Sequence, residues 1–307
     1  MPRPAVVAVD VGGTSIKASV LDDTGVTLRR LDAPTPTADG PDAVVAALRS
    51  VVRELTGPDV AAVGAVVPGV VDVPNGVARY AANLGWRDVP LAALLAADVG
   101  VPVAIEHDVR AAGHAERVLG LARDVADCLV VVIGTGIAGV MVSGGQHLRG
   151  ATDLAGEIGH VPVYPDGERC ACGQRGCAET YASAAAIARR YVAATGRQLT
   201  AAEIGRTRHD DPAAARVWDD AATALGLALA TYTMLLDPSL VVLAGGLSAA
   251  GAALRDPVRD ALAARLVWRP APAVEISTLA GRAGEYGAAL FAWRAVGREL
   301  GAEWRVA

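Results

Sequence analysis

The two halves of the sequence repeat one folding pattern. Near the start, an apolar run at residues 5–10 ends in an acid and passes through glycines into a second apolar run at 15–21. The same order returns at 129–133 and 137–142, again with glycines between the runs. Short runs rich in valine and isoleucine are typical of buried strands, and glycines are typical of tight turns. We therefore expect two similar α/β halves, each beginning with a β-hairpin.

Periodicity predicts further strands and helices. Strand-length apolar runs occur at 60–67, 101–105, 240–243 and 274–277, and Asn75-Gly76 marks another hairpin. Helical spacing of apolar residues occurs at 44–55, 109–119, 178–195 and 212–236, in a segment ending near 266, and at 284–300. The repeated pattern predicts a small N-terminal domain over 1–117 and a larger domain over 118–307. The C-terminal helix, at about 284–307, is a candidate to pack back on the first domain.

The charge balance argues against general nucleic-acid binding. The chain has 307 residues with 28 basic and 33 acidic side chains, so it offers no global positive field for a phosphate backbone. Although 52% of the residues are hydrophobic, no uncharged apolar stretch of about 18 residues occurs. The first residues also lack a signal-peptide core. We expect a cytoplasmic protein that binds neither nucleic acid nor membrane.

The first glycine turn has the composition of a phosphate site. Asp10 ends a strand and is followed by Gly12, Gly13 and Thr14. Such a turn can present backbone N–H groups and a hydroxyl to an anion, with a carboxylate nearby for Mg²⁺. An ordinary β-turn with a capping aspartate explains the same residues. These residues alone leave both interpretations open.

The second glycine turn, Gly134-Thr135-Gly136, is part of a G-x-G-x-x-G pattern. A dinucleotide-binding motif would need a helix to begin within the glycines. Residues 137–142 instead predict a strand, so we expect a second hairpin. Two such hairpins facing each other across a cleft would hold nucleotide phosphates from both sides. Lys17, the only lysine, lies in a predicted strand and outside any P-loop motif.

One histidine and three cysteines predict a metal site. His160 precedes Cys170, Cys172 and Cys177, which lie within eight residues of one another among glycines. One imidazole and three thiolates form a closed, structural tetrahedral Zn²⁺ site. The alternative is a group of free buried thiols. The fourth cysteine, Cys128, lies in an apolar run and is predicted to be simply buried.

Two acids flank the predicted zinc ligands. Glu157 is three residues before His160, and Glu179 is two residues after Cys177. Carboxylates held in place by a metal site suit the hydroxyls of a polyol. Taken alone, Glu179 is more often an acid at a helix N-terminus, and Glu157 a surface residue.

Together these residues resemble the ROK family of sugar kinases and sugar-responsive repressors, nearly from end to end. The most specific match is Glu157-Ile158-Gly159-His160 followed by Cys170-Ala171-Cys172-Gly173-Gln174-Arg175-Gly176-Cys177-Ala178-Glu179. The resemblance implies the actin-like, ribonuclease-H-like ATPase fold, with two α/β domains around a cleft. It also implies a homodimer or a dimer of dimers.

The resemblance assigns Asp108 as the general base that takes the proton from the 6-hydroxyl of a hexose during ATP-dependent phosphorylation. From the residues alone, Asp108 could instead cap the following helix. The residues expected to contact the sugar are Gly69, Asn83, His107, Asp108, Glu157, His160 and Glu179. Those expected around ATP and Mg²⁺ are Asp10, Gly12, Gly13, Thr14, Lys17, Gly134, Thr135, Gly136, Gly245 and Gly246.

His107 departs from the family pattern, which often has asparagine there, and so leaves the sugar open. Glucose is the leading substrate, with mannose, N-acetylmannosamine, fructose and allose as alternatives. Polyphosphate is a less favoured donor than ATP. A sugar-sensing regulator without catalysis is the rival function. Regulators of the family carry a winged helix before the first phosphate motif; because Asp10 is assigned to that motif by the resemblance, we expect no winged helix and favour the kinase.

Overall fold

The structure is a computed structural model that describes residues 3–300 and Trp304. The described chain forms two compact units. The first contains the residues up to Leu119 together with those from Arg282 onward, and the second is Gly120–Gly281.

A five-stranded sheet forms the centre of the first unit. Its strands are β1 (Ala5–Val11), β2 (Ser15–Asp22), β3 (Thr27–Pro34), β4 (Val60–Val67) and β8 (Val103–His107). Their order is β3-β2-β1-β4-β8. The first two strands form the predicted hairpin and β3 extends it into an antiparallel meander, whereas β4 and β8 run parallel to β1. β1 and β4 are almost wholly buried, as is typical of strands covered on both faces.

A small antiparallel sheet lies between β4 and β8 in the chain. Its strands are β5 (Val70–Asp72), β6 (Val77–Ala81) and β7 (Trp86–Val89). The predicted hairpin at Asn75-Gly76 joins β5 to β6, and Gly76 has the positive φ of 65° that such turns need.

Four α-helices lie within the described residues of the first unit. They are α1 (Pro41–Leu55), α2 (Leu91–Val99), α3 (Asp108–Leu119) and α9 (Ala283–Ala295). α1 buries the predicted apolar face. Close packing of α9 depends on glycines, because a Cβ on Gly64 of β4 would lie 1.9 Å from the Ala288 carbonyl oxygen. A Cβ on Gly287 would lie 2.1 Å from that of Ala111 in α3.

The predicted length of the last helix was wrong. α9 ends at Ala295 rather than at residue 300, because Gly297 turns the chain with a φ of 74°. Residues 301–303 and 305–307 of the predicted C-terminal segment lie outside the described residues.

The second unit repeats the sheet of the first. Its strands are β9 (Cys128–Ile133), β10 (Ile137–Ser143), β11 (Gln146–His147), β12 (Leu240–Ala244) and β13 (Ala273–Ile276). The order β11-β10-β9-β12-β13 again combines an antiparallel meander with two parallel strands. The prediction of two similar α/β halves is confirmed.

The helices of the second unit surround a core that includes Trp218. They are α4 (Glu179–Ala182), α5 (Ala184–Thr195), α6 (Ala201–Thr207), α7 (Pro212–Leu236) and α8 (Ala252–Ala263). α7 was predicted in full, and α8 ends three residues before the predicted end. Among the described helices, none has both the length and the apolar character that crossing a bilayer requires.

Two local details of this unit differ from the prediction. The single helix predicted at 178–195 is broken at Ser183, whose extended backbone and side chain cap α5 through the N–H of Ala186. α6 was not predicted, although Thr200 and Glu203 form a capping box that is visible in the sequence.

Candidate functional site

The turn between β1 and β2 is closed by its own backbone and braced from outside. The Gly12 N–H donates to the Ser15 carbonyl over 2.9 Å. Thr35, a buried residue after β3, donates its hydroxyl to the Gly12 carbonyl over 2.7 Å and its N–H to the Thr14 carbonyl over 3.1 Å. Both bonds hold the glycine turn in one conformation. Nothing in the local sequence distinguishes Thr35 from an ordinary loop threonine.

Asp10 lies in an unusual electrostatic setting. It pairs with Lys17 across β1 and β2, so the two side chains share a face of the sheet. A Cβ on Gly284 in the first turn of α9 would lie only 2.7 Å from Asp10 Oδ2. The pKa of Asp10 is raised to about 7, chiefly by burial; Asp108 and Glu285 contribute to the rise, and Lys17 opposes it. A carboxyl that lacks sufficient compensating positive charge is suited to a cation such as Mg²⁺.

A buried network fixes the start of α9 beside Asp10. Glu285 is 2% exposed and accepts a hydrogen bond from Ser19 of β2 over 2.9 Å. It also pairs with Arg282, which donates to Thr27 of β3 over 2.9 Å. These contacts hold Gly284 against the carboxyl. The sequence does not indicate this network, because Ser19 and Glu285 are 266 positions apart and Thr27 and Arg282 are 255 positions apart.

Asp108 begins α3 directly after β8. Its Oδ1 accepts from the Val109 N–H over 2.7 Å and lies 3.4 Å from His107 Nε2. A conventional capping carboxylate would bond an N–H two or three residues further on. At this junction of β8 and α3, buried Glu106 accepts hydrogen bonds from the His107 N–H over 2.8 Å and from Arg110 Nε over 2.8 Å. The peptide that carries Asp108 is therefore held in place.

The other two predicted sugar residues of this unit have different surroundings. Gly69 has a φ of 93°, and a Cβ there would lie 2.0 Å from the Tyr80 carbonyl oxygen, so close strand packing by itself requires glycine. Asn83 lies against the first glycine turn, because its Nδ2 is 3.3 Å from the position of a Cβ on Gly13. The first unit thus brings Asn83 to the same turn that follows Asp10.

In the second unit, the turn between β9 and β10 is a hairpin, as predicted. The Gly134 N–H donates to the Gly136 carbonyl over 2.9 Å, and β10 continues as a strand antiparallel to β9. No helix begins within the glycines. Thr135 lies exposed at the tip of the turn.

The Gly245-Gly246 segment lies next to this hairpin. Gly245 follows β12 with a φ of 84°, and a Cβ there would lie 2.6 Å from the Ile133 carbonyl oxygen at the end of β9. A Cβ on Gly134 or Gly246 would meet no atom of the described residues within 4 Å. The two glycine segments therefore form one open backbone surface in the second unit.

The four predicted zinc ligands converge. One donor atom from each of His160, Cys170, Cys172 and Cys177 lies within 4.8 Å of the others. The Cys170 sulfur is 3.6 Å from His160 Nδ1, and the Cys172 and Cys177 sulfurs are 3.7 Å apart. Zn–S and Zn–N bonds of about 2.3 and 2.05 Å at a tetrahedral angle give about 3.75 Å between sulfurs and about 3.6 Å between sulfur and nitrogen. The donor set fits Zn²⁺.

The pKa values of the three cysteine thiols also favour a metal site. The pKa of Cys177 is raised to about 12, chiefly by burial and also by hydrogen bonds with the neighbouring thiols. Burial also raises the pKa of Cys170, whereas a hydrogen bond to the Gln174 backbone lowers that of Cys172. Three adjacent thiols need a cation to ionise together. Cys128 is 2% exposed in β9, as predicted.

His160 has its two ring nitrogens on different partners. Nδ1 faces Cys170 over 3.6 Å, and Nε2 lies 3.9 Å from Glu157 Oε2. Nδ1 is therefore the nitrogen available to a metal. Tyr232 of α7 is close enough to Glu157 that the carboxylate, after burial, raises the pKa of the phenol.

Glu179 is the first residue of α4, in agreement with its interpretation as an acid at a helix N-terminus, and its carboxylate also makes a contact that the sequence does not indicate. Its Oε2 accepts from the Ile137 N–H over 2.7 Å, at the first residue of β10. The same oxygen would lie 2.6 Å from a Cβ on Gly136. A residue that the resemblance assigns to the sugar thus contacts the second glycine turn.

Comparison with known proteins agrees with these features. The ROK family model matches residues 6–295. A glucokinase of Streptomyces coelicolor is 34% identical over 305 residues, which cover 92% of this chain and 96% of that protein. A crystal structure of a ROK family glucokinase from Streptomyces griseus, in complex with glucose and AMPPNP, has a TM-score of 0.83 at 33% identity and covers 94% of this chain and 99% of that one. A ROK hexokinase from Thermus thermophilus has a TM-score of 0.78 at 35% identity, with coverage of 95% and 99%.

Proposed function

Because this chain belongs to the ROK family, we propose that it is an ATP-dependent sugar kinase that phosphorylates the 6-hydroxyl of glucose. Similarity to glucokinases over 92% of the chain supports the activity. The observation that carries the proposal is the convergence in the first unit of Asp10, the glycine turn after it, and Asp108. Asp108 is close enough to Asp10 to raise its pKa.

Asp108 is the proposed general base. The 6-hydroxyl loses its proton to this carboxylate as the oxygen attacks the γ-phosphorus, and the bond to the ADP oxygen breaks in line. Three contacts hold the base at the strand–helix junction. Asp108 contacts the Val109 N–H and the His107 ring, and the His107 N–H donates to buried Glu106. A base held in this way needs little reorganisation during the reaction.

The two glycine turns are the proposed phosphate-binding segments. Gly12, Gly13 and Thr14 would offer backbone N–H groups and a hydroxyl, and Gly134, Thr135 and Gly136 would do so in the second unit. Lys17 shares the face of Asp10 and can add one positive charge. Asp10 would hold Mg²⁺, which neutralises charge on the phosphate oxygens when bound. The open surface at Gly245 and Gly246 is assigned to the nucleoside.

The polar residues assigned to the sugar hydroxyls are Asn83, His107, Glu157, His160 and Glu179, with Gly69 beside the sugar. Zinc, in a reducing compartment such as the cytoplasm, would bind His160 through Nδ1 and the three thiolates. In this arrangement the loop that carries Glu157 and the segment that carries Glu179 are both tied to the metal.

A coupled assay of ADP release with ATP tests the activity. The panel contains glucose, mannose, N-acetylmannosamine, fructose and allose, and one series replaces ATP with polyphosphate. We expect the highest kcat/KM with glucose and ATP. Absence of turnover with every sugar, together with retained sugar binding, would favour the non-catalytic regulator.

Asp108→Asn tests the base. Loss of the proton acceptor should lower kcat by about 10²–10⁴-fold and leave glucose affinity within about threefold. Asp42→Asn is the matched control, because Asp42 is also an acid in the first turn of a helix but is exposed on α1. Equal rates for both variants would reject Asp108 as the base.

A further inference from the structure

Glu179 connects two parts of the second unit that the proposed function keeps separate. It lies two residues after the zinc ligand Cys177, yet its carboxylate accepts the Ile137 N–H over 2.7 Å. That N–H belongs to the residue directly after the second glycine turn. Gly136 has no side chain to displace the carboxylate, since a Cβ there would lie 2.6 Å from Oε2.

A second contact joins the same segment to the other side of the turn. The Ala184 N–H, just after α4, donates to the Gly134 carbonyl over 2.9 Å. Glu179 and Ala184 therefore hold the first residue of the turn, Gly134, and the residue directly after it, Ile137. The intervening helix α4 has only four residues.

Such a short helix depends on its surroundings for its position. Cys177 is fully buried. Thr180 donates two hydrogen bonds to the Cys177 carbonyl, one from its N–H over 3.0 Å and one from its hydroxyl over 2.7 Å. The Ala178 N–H donates to the Val161 carbonyl over 3.0 Å, close to the ligand His160. The start of α4 is thus attached to the segments that carry the zinc ligands.

We propose that the zinc site organises the second phosphate turn through Glu179, so that nucleotide affinity depends on zinc even when no sugar is present. The inference rests on the proposed function, in which this turn binds ATP. It gives Glu179 a positioning role at the nucleotide in addition to any contact with sugar hydroxyls.

The test is calorimetric titration of the intact protein with AMPPNP and Mg²⁺ in the absence of sugar. Zinc content is measured for every sample, and circular dichroism monitors folding. We expect zinc removal from the wild type to weaken AMPPNP binding about tenfold, and zinc-loaded Glu179→Ala to show a similar loss. Glu179→Gln keeps an acceptor oxygen and should stay within about threefold of the wild type. Glu275→Ala, which removes an exposed glutamate in β13, is the control and should bind normally.

The coupling is tested by removing zinc from Glu179→Ala. If both changes act through one contact, the second should weaken AMPPNP binding by less than about threefold. If zinc removal and Glu179→Ala instead weaken AMPPNP binding by factors that multiply, the proposal is overturned. A zinc-loaded Glu179→Ala protein with wild-type AMPPNP affinity would also overturn it. If the zinc-free protein unfolds, the AMPPNP affinities of zinc-loaded Glu179→Ala and Glu179→Gln decide whether Glu179 positions the turn.

These results separate the inference from the proposed function. A Glu179→Ala enzyme with a raised glucose KM and unchanged AMPPNP affinity would make Glu179 a sugar residue alone and refute the inference, while the kinase assignment stands. A wild-type protein that neither binds AMPPNP nor turns over ATP would refute both.

Discussion

Gly284→Ala should separate catalysis from stability in this protein. Gly284 is the second residue of α9, and its backbone is helical. Alanine is favoured over glycine in a helix by about 1 kcal/mol. The new methyl group would, however, lie 2.7 Å from Asp10 Oδ2 and 3.2 Å from Cγ.

The displacement of Asp10 can be estimated from this contact. An ordinary van der Waals contact for a Cβ begins at 3.4 Å, so the carboxyl must move by about 0.7 Å, or α9 must shift. α9 has little freedom to shift, because Glu285 binds Ser19 and Arg282 binds Thr27. A misplacement of about 1 Å in a catalytic constellation can cost about 100-fold in rate. We expect kcat to fall about 10- to 100-fold and the Mg²⁺ requirement to rise.

The assay combines steady-state kinetics over a Mg²⁺ series with urea unfolding. The free energy of unfolding of Gly284→Ala should stay within about 1 kcal/mol of the wild type. Gly287→Ala is the control on the same helix, because its Cβ would meet the Ala111 backbone at 2.1 Å. That variant should lose stability through poorer packing of α9. Wild-type kcat and Mg²⁺ dependence in Gly284→Ala would refute the proposed role of the contact between α9 and Asp10.

Three further predictions follow from the contacts described above. Thr35→Val leaves the Gly12 carbonyl without its hydroxyl donor, so it should lower the free energy of unfolding by about 1–2 kcal/mol and raise the KM for ATP. Denaturant titration and steady-state kinetics measure both effects, and wild-type values for both would show that the bond is unimportant. Since the pKa of Asp10 rises from 3.8 to about 7 in the fold, the metal-free protein should lose stability as pH increases from about 4 to about 7. Asp10→Asn should remove this dependence in thermal unfolding, and an unchanged pH profile would contradict the burial of an uncompensated carboxyl. Metal analysis should find about one zinc per chain, and Cys172→Ser should lower zinc retention and thermal stability together; an equally stable, zinc-free variant would argue against a structural metal.

Features encoded by neighbouring residues could be predicted from the sequence. The hairpins at both glycine turns, the buried face of α1 and the whole of α7 follow from local periodicity and turn chemistry. The convergence of the predicted metal-binding side chains could be anticipated because Cys170, Cys172 and Cys177 are close in sequence and of a type that binds metals.

The errors also have local causes. The helix predicted at 178–195 is interrupted because Ser183 caps a new helix, which periodicity alone does not detect. The last helix ends early because Gly297 adopts a left-handed conformation. Apolar spacing continues past both points, so a pattern based on spacing overestimates helix length.

The sequence by itself determined the α/β class, the two repeated halves and the composition of the sites, because these depend on residue type and spacing over a few positions. Only the tertiary structure decided which distant side chains hold these sites in place by hydrogen bonds. Thr35 holds the first turn, Glu285 holds the start of α9, and Glu179 holds the second turn. Each of these contacts joins segments 23 or more residues apart, and one spans 266 residues. Their geometry is set by the packing of sheets and helices, and no local preference of a threonine or glutamate specifies a partner at that distance.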